Sequence, residues 1–193
     1  MKLKDCVTIY SGFLSRGKIL TKANGSHRLI QARNVKSGII DCSEHSLSYF
    51  DPELSSRDTP LQDNDILFMT RGIKNYVSLL TKVPEKILAA ASFFIIRTSN
   101  PRINPVYITW YLNQPQSQYY FTQNSGSGVA MPVVRRNVLE QIDIPIPAIE
   151  TQNRIAKLYY LMQDEEKLTI DLLKKRNMLT EAICLQAAER EKQ

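Results

Sequence analysis

Hydrophobic and polar positions change their period along this chain, and the change divides it. From residue 5 to residue 98, apolar side chains fall in short runs separated by turn residues. The pattern predicts strands over residues 5–10, 29–35, 38–41, 65–70, 76–83 and 87–98. The last run is apolar enough to be a central strand. Residues 11–26 are polar and carry Gly12, Gly17 and Gly25, so they read as a loop. Lys36, Ser37 and Gly38 form a turn between two of the strands, and residues 47–53 are expected to hold a short helical stretch. From residue 104 the period lengthens. Asn104 can cap a helix whose first residue is Pro105, and Tyr107, Ile108, Tyr111 and Leu112 recur at helical spacing. A second helix runs from Pro115 to about residue 122, and residues 123–128 are a loop. Residues 133–134 and 142–144 read as short edge strands, since Pro145 and Pro147 cannot donate to a ladder.

After Ile144-Pro145-Ile146-Pro147 the pattern becomes one amphipathic helix, from about residue 151 to about residue 189, with no Pro or Gly. Leu158, Leu161, Leu168, Leu172 and Leu179, with Ile183 alongside, follow a spacing near 3.5 residues, interrupted at Glu165 and Lys175. At 1.5 Å per residue the rod is roughly 58 Å long. Such a helix outruns the cover one small domain can give, and an apolar stripe left in water is unfavourable. These six residues are therefore the candidate dimerisation contacts; the alternative is a helix folded back over its own domain. The expected class is α/β (α+β): a mixed twisted sheet with short helices over residues 1–149, then a long C-terminal helix over residues 150–193.

The composition, 43% apolar and 23% charged, is that of a soluble globular protein. No run approaches the ~20 apolar residues of a membrane span, and the start has no apolar stretch of signal-peptide length. Cys6, Cys42 and Cys184 are widely spaced and, like His27 and His45, sit in no metal-type array. They predict free thiols in a reducing cytoplasm and no metal. The net charge of +6 is unevenly placed. Residues 1–149 hold 17 Lys/Arg against 11 Asp/Glu, and residues 150–193 hold 8 against 8. A basic head attracts a polyanion.

Signals of catalysis are weak. The chain has no GxGxxG, no P-loop and no nucleophile elbow. Asn104-Pro105-Val106-Tyr107 is near the Asn-Pro-Pro-Tyr tetrapeptide of DNA amino-methyltransferases, but Val106 replaces the second Pro, and capping explains Asn104 and Pro105. Binding signals are stronger, because Arg and Lys neutralise phosphates while Arg, Asn and Gln can also read base edges. The first group is Arg16, Lys18, Lys22 and Arg28, with Gln31, Arg33 and Asn34 on the following strand, where alternation places Gln31 and Arg33 on one face. The second is Arg71, Lys74 and Asn75; the third is Ser127, Arg135 and Arg136. Three basic, glycine-containing loops suit a groove reader on double-stranded DNA.

The order and spacing of several blocks resemble the specificity (S) subunits of type I restriction–modification systems. The entry Leu3-Lys4-Asp5-Cys6-Val7-Thr8-Ile9-Tyr10-Ser11-Gly12 is similar to the start of a target recognition domain. Leu29-Ile30-Gln31-Ala32-Arg33-Asn34-Val35, Gly38-Ile39-Ile40 and Leu61-Gln62-Asp63-Asn64-Asp65-Ile66-Leu67-Phe68 are similar to the middle blocks, with Asn64 where Gly is usual. Arg71-Gly72 fits the following turn, and Asn104-Pro105-Val106-Tyr107-Ile108 the helix entry. The strongest likeness runs from Ile144-Pro145-Ile146-Pro147 through Glu150-Thr151-Gln152-Asn153-Arg154-Ile155-Ala156. There Ala148 replaces a Pro, and Thr151 separates Glu150 from Gln152.

The resemblance implies a DNA-reading head and a helical spacer. Full-length members hold two of each in pseudo-symmetric array with antiparallel helices. One head and one spacer thus imply a half subunit that homodimerises through an antiparallel coiled coil and reads a symmetric split target. It further implies no catalysis by this chain. A DNA adenine methyltransferase subunit would carry S-adenosylmethionine, and a restriction/translocase subunit would cut. A dimeric DNA-binding regulator and a protein-interaction adaptor without DNA binding are the alternatives.

Overall fold

The computed structural model of the chain describes residues 1–193 except 16, 45–46, 56–57, 73, 127–131 and 191–193, and all of their side chains but those of Glu44 and Arg190. It divides into two compact units, Met1–Ala156 and Lys157–Gln193. The family of folds is mixed α+β, as the periods predict.

The first unit is built on two sheets. Its strands are β1 (Thr8–Ser11), β2 (His27–Ile30), β3 (Gly38–Asp41), β4 (Ser48–Phe50), β5 (Ile66–Met69), β6 (Val77–Thr81), β7 (Ile87–Ala89) and β8 (Phe93–Arg97). The larger sheet has the order β1-β8-β5-β6-β3 and the smaller β4-β2-β7. The pairs β3–β6 and β2–β7 are parallel and the others antiparallel. A core between the sheets joins Leu67, Met69, Leu80, Phe93 and Ile95 of the larger to Ile30, Ile87 and Ala89 of the smaller. Strands β5 and β6 are buried on both faces, so they read as continuous apolar runs rather than alternating ones. On one of those faces Phe121 of α2 (Pro115–Asn124) meets Phe68 edge-on, at 4.8 Å between ring centroids.

Helix α1 (Pro105–Leu112) starts as the sequence predicts: the Asn104 side chain accepts from the Val106 and Tyr107 N–H groups, with Pro105 at the first helical position. Its end is tied down by Asn113, whose amide accepts from the Val77 N–H and donates to the Val77 carbonyl. Asn64 takes φ +68°, the left-handed region that favours Gly before Asp65. Asn visits the left-handed region at lower cost than most side chains.

Four local expectations are corrected. The strand expected over residues 29–35 ends at Ile30, and Ala32–Asn34 form a 3-10 turn. The Gln31 and Asn34 side chains cap that turn reciprocally, and such local bonds outcompete a ladder. Gln31 and Arg33 therefore do not share a strand face, and β2 and β3 fall in different sheets. Residues 48–50 are strand, not helix, because Ser48, Tyr49 and Phe50 pair with Leu29, Arg28 and His27. The run 87–98 splits into β7 and β8 around a turn closed by the Phe93 N–H on the Ala90 carbonyl. Residues 133 and 143 make isolated bridges only, and α3 (Arg136–Gln141) lies between them.

Helix α4 (Ile149–Arg190) begins in the first unit and supplies the second. In the isolated chain Leu158, Leu161, Leu168, Leu172, Leu179 and Ile183 are all exposed, Leu172 at 70%. No helix among the described residues is long and apolar enough to cross a membrane.

Candidate nucleic-acid interface

The loops that carry the basic residues leave the larger sheet at one end. Ser11 closes β1 opposite Phe94, Met69 closes β5 opposite Phe93, and Val77 opens β6 opposite Phe68. The loop after β1, the β5–β6 loop and the turn before β8 thus emerge together. Backbone bonds weld them: Gly12 N–H to the Phe93 carbonyl, Thr70 N–H to the Ser92 carbonyl, and Val134 N–H to the Thr70 carbonyl. Gly12 is required here, since a Cβ would collide with the Ala90 carbonyl.

This weld makes a patch from the second and third groups. Arg71 is bridged to Val133, so Arg71, Lys74 and Arg135, all exposed, belong to adjoining segments. Asn75 does not present itself to a ligand. It is buried at 6% exposure, its amide donates to the Met69 carbonyl, and its backbone exchanges bonds with the Gln118 amide. Arg136 is spent on structure as well, donating to Glu140 Oε1 at 2.7 Å and to the Ile9 carbonyl at 2.8 Å.

A second patch gathers around β4, at an edge of the smaller sheet. The Lys22 N–H donates to the Tyr49 carbonyl, and the Lys22 ammonium lies 2.8 Å from Asp51. That ammonium, with the Ser26 N–H, holds the Asp51 carboxyl well below the usual carboxylate range. The Arg28 guanidinium sits 5.5 Å from the centroid of the Tyr49 ring, and Arg33 Nη2 donates to Ser48 Oγ at 3.3 Å. Lys18 and Lys22 also line an open cleft of about 1070 Å³ with Phe13, Phe50 and Asp51. Gln31 and Asn34 are occupied by the cap described above. Arg16 and Ser127 lie outside the described residues.

Two further side chains stand out that are not among the candidate site residues. Tyr49 sits in what the sequence presents as a helical stretch; the alternation of half-buried Ser48, exposed Tyr49 and buried Phe50 is the signal that marks it. Gln152 is fully buried. Its amide oxygen accepts from the Asn104 N–H at 3.0 Å, and its nitrogen donates to the Arg102 and Pro147 carbonyls at 3.0 and 2.8 Å. It locks the first turn of α4 to the start of α1, which is a physical reason for a Gln at that point. Among the described residues no cluster of three or more His, Cys, Asp or Glu side chains is grouped to hold a metal ion.

A family model described as the type I restriction modification DNA specificity domain matches residues 1–180. No curated protein sequence matches the chain. Three solved structures are similar to it. One is described as the structural basis of complex assembly and conformational transition of the type I R-M system, with TM-score 0.60 and 13% identity over 85% of this chain. A second is the type I restriction-modification S subunit from M. genitalium, with TM-score 0.55 and 12% identity over 85%. The third is the HsdS subunit from Thermoanaerobacter tengcongensis, with TM-score 0.57 and 14% identity over 86%. At these identities the likeness establishes a shared fold. The chain spans 37–38% of the length of those three chains.

Proposed function

The chain belongs to the family of type I restriction–modification DNA specificity domains, and from that membership we propose that it reads a DNA target for enzymes carried by other subunits. The observation that carries the reading is the welding of the Arg71–Val133 bridge to the end of the sheet from which the basic loop after β1 also leaves. Lys18, Lys22, Arg28, Arg33, Arg71, Lys74 and Arg135 are the proposed DNA contacts. Asn75, Asn34, Gln31 and Arg136 serve the fold that holds them.

Two chains pair through the α4 stripe, and each head takes one half of a symmetric, interrupted site. Adenine methylation, with its S-adenosylmethionine, belongs to a methyltransferase subunit, and cleavage to a restriction/translocase subunit. The chain itself is non-catalytic and works in the cytoplasm, where the DNA is. A partner that flips the adenine out of the stack needs its register fixed, and phosphate contacts by the head supply that.

Duplex binding by Arg33→Ala and Arg71→Ala tests the two patches. A residue that touches bases relaxes the preference at one position. A residue that touches phosphate weakens every duplex alike and lowers the salt slope by about one. Unaltered binding by both variants removes both patches from the interface. Co-purification of a methyltransferase subunit with the tagged chain separates this reading from that of a regulator acting alone.

A further inference from the structure

We infer that Arg28 reads a guanine edge in the target and that Tyr49 is its positioning residue. The inference rests on the DNA-recognition reading above and adds to it a chemistry and a second side chain. Arg28 and Tyr49 are direct cross-strand partners in β2 and β4. The guanidinium carbon lies 5.5 Å from the ring centroid, within the range of a cation–π contact. Tyr49 keeps 40% of its surface exposed on the outermost strand β4, and Arg28 is half-buried beside it on the central strand β2, so the pair reaches the protein surface.

A guanidinium laid against a ring uses its flat face and keeps its N–H fork for another partner. Among the described residues, Arg97 spends that fork on Asp65, Arg136 on Glu140 and the Ile9 carbonyl, and Arg33 donates to Ser48. The Arg28 guanidinium has its ring contact and no hydrogen-bond acceptor among those residues; only the backbone N–H donates, to the Lys86 carbonyl. It is held and unspent together. Readout of guanine O6 and N7 asks for a planar donor fork in a fixed place, whereas phosphate contact is served by a point charge on a flexible stem, as lysine supplies. The platform under Arg28 is fixed in turn: the Lys22 N–H holds the Tyr49 carbonyl, the Ser26 N–H holds Asp51 at 2.8 Å, and Gly25 packs so closely on Phe50 that a Cβ would strike its backbone.

The test is selection of bound sequences from a pool of duplexes with randomised positions. It uses the full chain, Arg28→Lys, Tyr49→Phe and Tyr49→Leu, with melting curves to verify folding. The unaltered chain is expected to enrich a G·C pair at a fixed position. Arg28→Lys keeps the charge and the salt slope but loses that preference by about tenfold, the ratio that 1.4 kcal/mol represents. Tyr49→Phe keeps the ring and the preference, and Tyr49→Leu loses part of it; should the leucine variant fail to fold, Arg28→Lys and Tyr49→Phe decide. Undiminished guanine preference in Arg28→Lys overturns the inference. So does uniform weakening on all duplexes by Arg28→Lys, which makes Arg28 a phosphate contact and leaves DNA recognition standing. An unaltered chain that enriches no sequence overturns both the inference and the reading beneath it.

Discussion

On the proposed pairing through α4, Leu172→Asp or Leu179→Asp is expected to leave the chain monomeric at concentrations where the unaltered chain is expected to dimerise. Both leucines are exposed in the single chain, at 70% and 63%. Full burial of a leucine contributes about 1.5–3 kcal/mol, and a two-fold dimer contains each position twice. Carboxylates placed in that seam add a desolvation cost on top of the lost burial. The combined loss is about 6 kcal/mol, which weakens association roughly ten-thousandfold. The helix itself tolerates the change, because Asp at an exposed interior helical position costs only ~0.7 kcal/mol in propensity. Sedimentation mass is the readout, with far-UV circular dichroism to verify retained helix. An unchanged mass in both variants removes the stripe as the dimer contact.

Asp65→Ala is expected to destabilise the head strongly. Asp65 is fully buried immediately before β5, and Arg97 at the end of β8 grips it with two bonds of 2.7 Å. Its second oxygen also accepts from the Gln62 N–H at 2.9 Å, closing the turn in which Asn64 adopts its left-handed conformation. Removing one partner of a buried pair leaves the other without compensation, at about 3–5 kcal/mol. The Arg97 side chain is 23% exposed and gains some hydration, so the lower end, about 3 kcal/mol, applies. For a domain of this size that lowers the melting temperature by roughly 6–12 °C. The ion pair predicts strong non-additivity: Asp65→Ala combined with Arg97→Met should cost less than the sum of the single changes. Additivity within about 0.5 kcal/mol would contradict the assignment of the loss to the pair.

How far the sequence speaks depends on whether local chemistry or long-range pairing decides an element. Helix α1 was legible because Asn104 and Pro105 act within their own turn. The long helix was legible because a periodic pattern without Pro or Gly has no competing reading. Strand β4 was not, since residues 48–50 become strand only when β2, some twenty residues earlier, offers them an edge. The break after Ile30 follows from a reciprocal Gln31–Asn34 cap that alternation conceals. The same division runs through the interface. That Arg71 and Arg135 belong together follows from a bridge between residues 71 and 133, which no local pattern announces. Asn75 looks like a ligand contact by residue type, and only its burial against Met69 and Gln118 removes it. Basic residues on polar loops are what suggests nucleic acid in the sequence; which of them are pinned or spent is a property of their neighbours.

The most direct measurement is the sequence motif recovered by the unaltered chain from randomised duplexes long enough to span two half-sites. A basic reading head carried twice on a paired stalk predicts two inverted copies of one short motif, separated by an unread spacer of constant length. A single ungapped motif would contradict the pairing, and recovery of no motif at all would contradict recognition itself.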